Sequence, residues 1–277
     1  MKYEFVAIDI DDTLLNKNLE IPEQNKTAIK KAVESGVMVT LATGRMFCSA
    51  VSYAKELGLD LPLIAYHGAL IKNTKDDEVL YHNPVPEETA REIAGFCQEN
   101  DLQLNVYIDD MLYVAKENEL TDYYIKIANV PCRAVGDLVK FIKKPPTKLT
   151  VVAHDGDTAD SVTEELKARF EGKVIITQSK KRFVEIINTE VDKGKAIEIL
   201  TRKFGKELDK TMAIGDSLND IPMLLKAGLG VCVKNARPQA KEACNVEVAS
   251  NDDAGVGEAI YRYVLGESIG GEPNASR

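Results

Sequence analysis

The sequence predicts an α/β protein: a doubly wound parallel sheet interrupted by a second, α+β module. Three observations carry that expectation. Short apolar runs at Phe5–Ile8 and at residues 37–43, 61–65 and 211–214 have the length of strands buried on both faces. Helical stripes alternate with them, as βαβ units require. Between residues 84 and 187 this alternation gives way to short strands, a hairpin and separate helices.

Taken in order, residues 22–35 place Ala28, Ile29, Ala32 and Val33 on one helical face, and Ser35-Gly36 stops the helix. After the second strand, a helix runs through Val51, Ala54 and Leu57 to Gly58, and residues 61–65 supply the third strand. In the middle segment, residues 86–100 put Ala90, Ile93, Ala94 and Cys97 on one helical face. Residues 103–108 and 112–115 are strands joined at Asp109-Asp110-Met111. A helix over 120–128, a break at Pro145-Pro146, a strand over 149–153, a helix over 158–170 and strands over 174–177 and 183–187 follow. Two helices over a small antiparallel sheet would bury one face of each. A helix through Ala196, Ile197, Leu200 and Phe204 resumes the first pattern. Strands at 211–214, 230–233 and 246–248 and a helix over 257–264 complete it, and residues 266–277 read as an unstructured tail. The expected domains are 1–83 with 188–277, and 84–187.

Lys plus Arg number 35 and Asp plus Glu 44 in 277 residues, a formal net charge of -9 at pH 7. That balance argues against a nucleic-acid or membrane-surface binder. No apolar run reaches the roughly 18 residues of a membrane span. No signal-peptide h-region precedes the first strand, so a cytoplasmic protein is expected. The five cysteines form no Cys-x-x-Cys pair and read as reduced thiols. The three histidines lack metal-ligand spacing, and structural or surface roles are expected for each.

Four stretches carry chemistry. Asp9, Asp11 and Asp12 follow the first strand at once. Clustered carboxylates repel and are costly to desolvate, so packing does not explain them. They suit a divalent cation at the carboxyl end of a parallel strand, or a solvated acidic turn. Thr43-Gly44-Arg45 ends the second strand at the same edge, where a hydroxyl and a bare amide can donate to a phosphate; a plain turn reads the same way. Lys193 opens a helix, against the helix dipole. Gly215-Asp216-Ser217-Leu218-Asn219-Asp220 ends a further apolar strand in acids, which can bind metal, cap the next helix, or do both.

In this order and spacing the stretches resemble the four motifs of the haloacid dehalogenase superfamily of phosphohydrolases, in its Cof-type branch. The residues are Asp9-x-Asp11-x-Thr13-Leu14-Leu15, Thr40-Leu41-Ala42-Thr43-Gly44-Arg45, Lys193-Gly194-x-Ala196 and Gly215-Asp216-x-x-Asn219-Asp220. The resemblance runs from residue 2 to about 265, and the middle segment lies where that branch carries its larger α/β (type IIB) cap. It implies a Rossmann-like core with strands one and four adjacent at the switch point. It also implies Asp9 as nucleophile and Asp11 as general acid and base. Ile10, Thr43, Gly44, Lys193 and Asn219 would bind the phosphoryl oxygens. Mg²⁺ would be held by Asp9, Asp216 and the carbonyl of Asp11, with Asp220 behind it. The motif register prefers Lys193 to the neighbouring Lys195. Two positions depart from the pattern. Asp12 stands where many relatives carry Gly, and Tyr66-His67-Gly68-Ala69 stands where the branch usually has Asn-Gly-Ala, so His67 receives no role.

The expected function is a magnesium-dependent phosphatase acting on a small phosphorylated metabolite, such as a sugar phosphate or nucleotide, through an aspartyl-phosphate. Two other readings share the site chemistry. A phosphomutase would return the phosphoryl group to a bisphosphorylated sugar. A phospho-receiver module also pairs acids with Mg²⁺, Thr and Lys, but in a shorter, uninterrupted domain. No Gly-x-x-x-x-Gly-Lys-Ser/Thr or Gly-x-Gly-x-x-Gly loop is present to support an NTPase or dinucleotide site.

Overall fold

The computed structural model describes residues 2–267, and most of the tail expected to be unstructured lies outside them. The chain divides into two compact units, residues 1–44, 50–80 and 192–277 in the first, 45–49 and 81–191 in the second. Strands β1 (Phe5–Ile8), β2 (Met38–Leu41), β3 (Leu63–Ala65), β4 (Leu70–Lys72) and β5 (Val79–His82) precede the middle segment. It contributes β6 (Gln103–Ile108), β7 (Met111–Val114), β8 (Cys132–Ala134), β9 (Lys148–Val152), β10 (Val174–Lys180) and β11 (Phe183–Asn188). Strands β12 (Thr211–Gly215), β13 (Leu229–Val233) and β14 (Val246–Val248) follow.

In the first unit five strands form one parallel sheet in the order β14-β13-β12-β1-β2. Every residue of β1, β12 and β13 is buried, which is why these strands read as unbroken apolar runs rather than alternating ones. The chain winds outward from β1 to β2 on one side and from β12 to β14 on the other. The winding direction therefore reverses between β1 and β12, where open α/β sheets place their ligands. Ile8 pairs with Ile214 in that register, so the residues after each strand emerge side by side.

The expected third strand is displaced from this sheet. β3 forms a separate antiparallel sheet with β4 and β5 and, among the described residues, meets the main sheet through one isolated parallel bridge, between Ala42 and Ile64. Pro62 supplies the reason. It has no backbone N–H for a ladder, and its carbonyl is taken at 2.6 Å by the Thr40 hydroxyl instead of by a strand. The β4–β5 pair escaped the sequence reading because both strands are three or four residues long and β5 is largely exposed.

The second unit is larger than two helices over a small sheet. Its six strands run β10-β11-β9-β6-β7-β8, antiparallel except for the β7–β8 pair. β8 was illegible because two of its three residues, Arg133 and Ala134, are exposed and bury no apolar face. Alternation along β6 sends Leu104, Val106 and Ile108 into a core with Ile93 and Cys97 of helix Glu87–Glu99 and Val162 and Leu166 of helix Gly156–Arg169. The opposite face is also buried, but polar. Lys148 and Glu185 pair there at 2.7 Å, and the Tyr107 hydroxyl donates to Tyr124 Oη at 2.6 Å. All five cysteines are free thiols. No helix among the described residues is long and apolar enough to cross a membrane.

Candidate active site

The site is built at the carboxyl ends of β1 and β12. The Asp9 amide donates to the Ile214 carbonyl at 2.9 Å, which continues the ladder one residue past the strand and holds Asp9 at the sheet edge. Asp9 then leads into a single wide turn, Ile10–Leu14, closed when the Leu15 amide donates to the Ile10 carbonyl. Asp12 occupies the left-handed region at φ 57°, ψ 6°. Glycine adopts this conformation most readily, and a short polar residue such as Asp is among the few others that tolerate it.

From the other half of the chain, helix Lys193–Lys203 begins behind its N-cap Asp192, whose side chain accepts from the Lys195 amide. The Lys193 side chain is fully buried and donates to Asp9 Oδ1 at 2.5 Å and to Asp220 Oδ1 at 2.6 Å. The other oxygen of Asp220 accepts from the backbone amides of Asp216 (3.0 Å) and Ser217 (2.9 Å). That fold-back needs Gly215, because a Cβ there would lie 2.6 Å from Asp220 Cβ. Asp216 Oδ1 accepts from the Thr13 hydroxyl at 2.8 Å. Asp9, Asp216 and Asp220 can each offer an oxygen within 4.8 Å of the others.

Three buried carboxylates surround one ammonium. Burial pushes the Asp9 carboxyl well above its ordinary value, and the Asp220 and Asp216 charges push it further; Lys193 opposes them. Burial and Asp220 raise Asp216 to about 7 despite the Thr13 hydrogen bond. Burial alone would lower the Lys193 pKa, but Asp220 and Asp9 outweigh it and hold the ammonium above the usual lysine value. The excess negative charge and the close oxygens fit a hard divalent cation. Both Asp220 oxygens are engaged by Lys193 and backbone amides, which makes Asp9 and Asp216 the better placed of the three to offer oxygens to such a cation.

A pH prediction follows. Asp216 titrates near 3.8 when unfolded and at about 7 when folded, so between those values the folded chain binds the extra proton. Stability of the metal-free protein should therefore fall as pH rises through that window, by at most about 1.4 kcal/mol per pH unit for one proton. Denaturation at pH 5 and pH 8 checks this. Added Mg²⁺ should raise the melting temperature more at pH 8, and Asp216→Asn should flatten both dependences.

The structure brings Asp9, Lys193, Asp216 and Asp220 into direct contact or near contact. It sets Thr43 and Gly44 beside the Tyr66–Gly68 turn, where the His67 amide donates to the Thr43 carbonyl at 2.9 Å. Asn219 reaches the same turn, with Nδ2 3.1 Å from His67 Nδ1. The charge of Asp11 bears on Asp9 and pushes its carboxyl up. The sequence reading assigned no role to Thr13 or His67. A hydroxyl inside an acidic turn was the available signal for Thr13. For His67 the signal was the departure from Asn-Gly-Ala itself.

A doubly wound sheet with acids at adjacent strand ends and a lysine across them is an arrangement suited to phosphoryl chemistry. Known proteins agree. The haloacid dehalogenase-like hydrolase family matches residues 6–260, and the chain belongs to that superfamily, in its Cof-type branch, as a phosphoric monoester hydrolase. The similar proteins include YwtE and YcsE of Bacillus subtilis, each named 5-amino-6-(5-phospho-D-ribitylamino)uracil phosphatase. YwtE is 31% identical over 95% of this chain and 98% of its own length, and YcsE 30% over 95% and 96%. A Thermotoga maritima crystal structure superposes with a TM-score of 0.85 at 32% identity, covering 94% of this chain and 97% of that one. A haloacid dehalogenase-like hydrolase from Bacteroides thetaiotaomicron gives 0.86 at 28%, covering 94% and 99%.

Proposed function

We propose that the protein is a magnesium-dependent phosphatase that hydrolyses a small phosphorylated metabolite, a sugar phosphate or nucleotide, through an aspartyl-phosphate on Asp9. The observation that carries this reading is the Lys193 ammonium held between Asp9 and Asp220 at the β1/β12 edge. An ammonium fixed on one oxygen of a carboxylate orients the other oxygen for attack and offsets its repulsion from a phosphate dianion.

Asp9, Asp216 and the Asp11 carbonyl would hold Mg²⁺, which when bound supplies positive charge against the phosphoryl oxygens. The Thr43 hydroxyl, the Asn219 amide, Lys193 and the backbone amides of Ile10 and Gly44 bind those oxygens. In the first step an Asp9 oxygen forms a bond to phosphorus and the ester P–O bond breaks. The protonated Asp11 carboxyl gives its proton to the leaving oxygen, releasing an alcohol. In the second step the Asp11 carboxylate takes a proton from water. The water oxygen bonds phosphorus, the Asp9–phosphorus bond breaks, and inorganic phosphate leaves. Asp220 keeps Lys193 in place throughout. The segment 84–187 acts as the cap that selects the leaving group.

Asp11→Asn tests the two-step reading. Turnover of an alkyl phosphate should fall by about 10²–10⁴-fold, because the leaving alkoxide loses its acid. A nitrophenolate leaves with little protonation, so p-nitrophenyl phosphate should still phosphorylate Asp9. Rapid mixing with Mg²⁺ should show a burst of nitrophenol followed by slow turnover. Equal slowing of both substrates with no burst would remove Asp11 from the second step.

A further inference from the structure

The turn Tyr66–Gly68 is strained, and its surroundings explain why. Tyr66 and His67 both adopt left-handed conformations, at φ 50° and 61°, and Gly68 sits at φ 104°. Such conformations in non-glycine residues persist where neighbouring structure over-determines them, and they cluster at functional sites. Four contacts hold this turn. The His67 amide donates to the Thr43 carbonyl. The imidazole fills the space where a Gly44 Cβ would stand: that Cβ would lie 2.7 Å from Nε2 and nearer still to Cε1. Asn219 Nδ2 lies 3.1 Å from His67 Nδ1. Gly68 abuts the carbonyl of Asp192, the residue before Lys193, where a Cβ would meet it at 2.6 Å.

We propose that His67 is a positioning residue for phosphoryl binding. Its buried imidazole holds the Asn219 amide and backs Gly44, fixing two oxygen-binding elements from distant parts of the chain against each other. The inference rests on the proposed phosphoryl-binding roles of Thr43, Gly44 and Asn219. Asn219 donates one N–H to Nδ1, which sets the imidazole as its Nε2–H tautomer and leaves the second amide N–H for a phosphoryl oxygen. Because His67 acts on the phosphoryl side, its contribution is independent of the leaving group.

The test compares His67→Ala, His67→Asn, His67→Leu, Asn219→Ala and His67→Ala/Asn219→Ala, each checked for folding by circular dichroism. KM and kcat are measured with p-nitrophenyl phosphate and with an alkyl phosphate, and inhibition with inorganic phosphate. His67→Ala should raise KM and the phosphate inhibition constant together by about 10-fold, the scale of one hydrogen bond to a charged group, and by the same factor for both substrates. Asn places Oδ1 near the Nδ1 position, so His67→Asn should recover most of the loss, while His67→Leu, with bulk but no acceptor, should not. In the Asn219→Ala background, His67→Ala should add only the smaller part of its loss that comes from the Gly44 contact, well short of the full factor. Unchanged phosphate inhibition in folded His67→Ala, equal behaviour of the Asn and Leu variants, or multiplying losses in the double variant would overturn the inference. If His67→Ala does not fold, the Asn and Leu pair decides. Asp9→Asn run alongside separates the two levels: if it stays active the proposed reaction through Asp9 fails, whereas a dead Asp9→Asn with indifferent His67 variants sinks only the positioning role.

Discussion

Asp9→Asn should abolish turnover, by on the order of 10⁴–10⁶-fold, the scale on which losing a nucleophile acts in hydrolases. The substitution keeps the shape of the side chain and removes the charge that attacks phosphorus. It also removes one of two carboxylates bound by Lys193. Because burial and Asp220 hold the Asp9 carboxyl high, a neutral side chain at this position relieves repulsion in the metal-free site. The variant should accordingly fold, and without Mg²⁺ it should melt no lower than the native chain. Loss of activity with retained stability is thus the expected pair of results, read by phosphate release and thermal denaturation. Retained turnover in a folded variant would remove Asp9 from the chemistry.

The second large effect is on stability. Lys193→Met should destabilise the metal-free protein by about 3–5 kcal/mol near pH 8, the cost of stripping one partner from a buried ionic cluster. The methionine fills much of the same space, so the loss is electrostatic rather than a cavity. Asp9 and Asp220 then face each other without the ammonium, and the pH dependence has a definite sign. The Asp9 carboxyl, raised further above its unfolded value once the ammonium is gone, binds a proton in the folded state that the unfolded chain releases, so stability falls as pH rises. The deficit should shrink at pH 5, where Asp9 takes up that proton. Urea denaturation of both proteins at the two pH values measures it. An equal deficit at pH 5 and pH 8 would show that Lys193 serves packing alone.

The same physics explains what the sequence made legible. β1 and β12 could be read because strands buried on both faces leave continuous apolar runs, and the acids after them stood out because packing cannot account for them. β3 read equally well as a strand, yet its ladder partner depended on Pro62 and the Thr40 hydroxyl, a pairing no periodicity records. In the site, Lys193 announced itself by standing at the wrong end of a helix dipole. Thr13 did not, because its bond to Asp216 joins residues 203 apart in the chain. His67 is the sharper case. A buried histidine in a left-handed turn beside Gly44 and Asn219 is visible only once three separate loops have been brought together.

The covalent step is the centre of the account, and trapping it is the most direct measurement. Asp11→Asn should be mixed with p-nitrophenyl phosphate and Mg²⁺, quenched during the burst and treated with borohydride, which reduces an acyl phosphate to the alcohol. Peptide mass spectrometry should then find homoserine at position 9 and unmodified aspartate at positions 216 and 220. Homoserine at another position, or intact Asp9 in a sample that has released its burst of nitrophenol, would contradict the assignment.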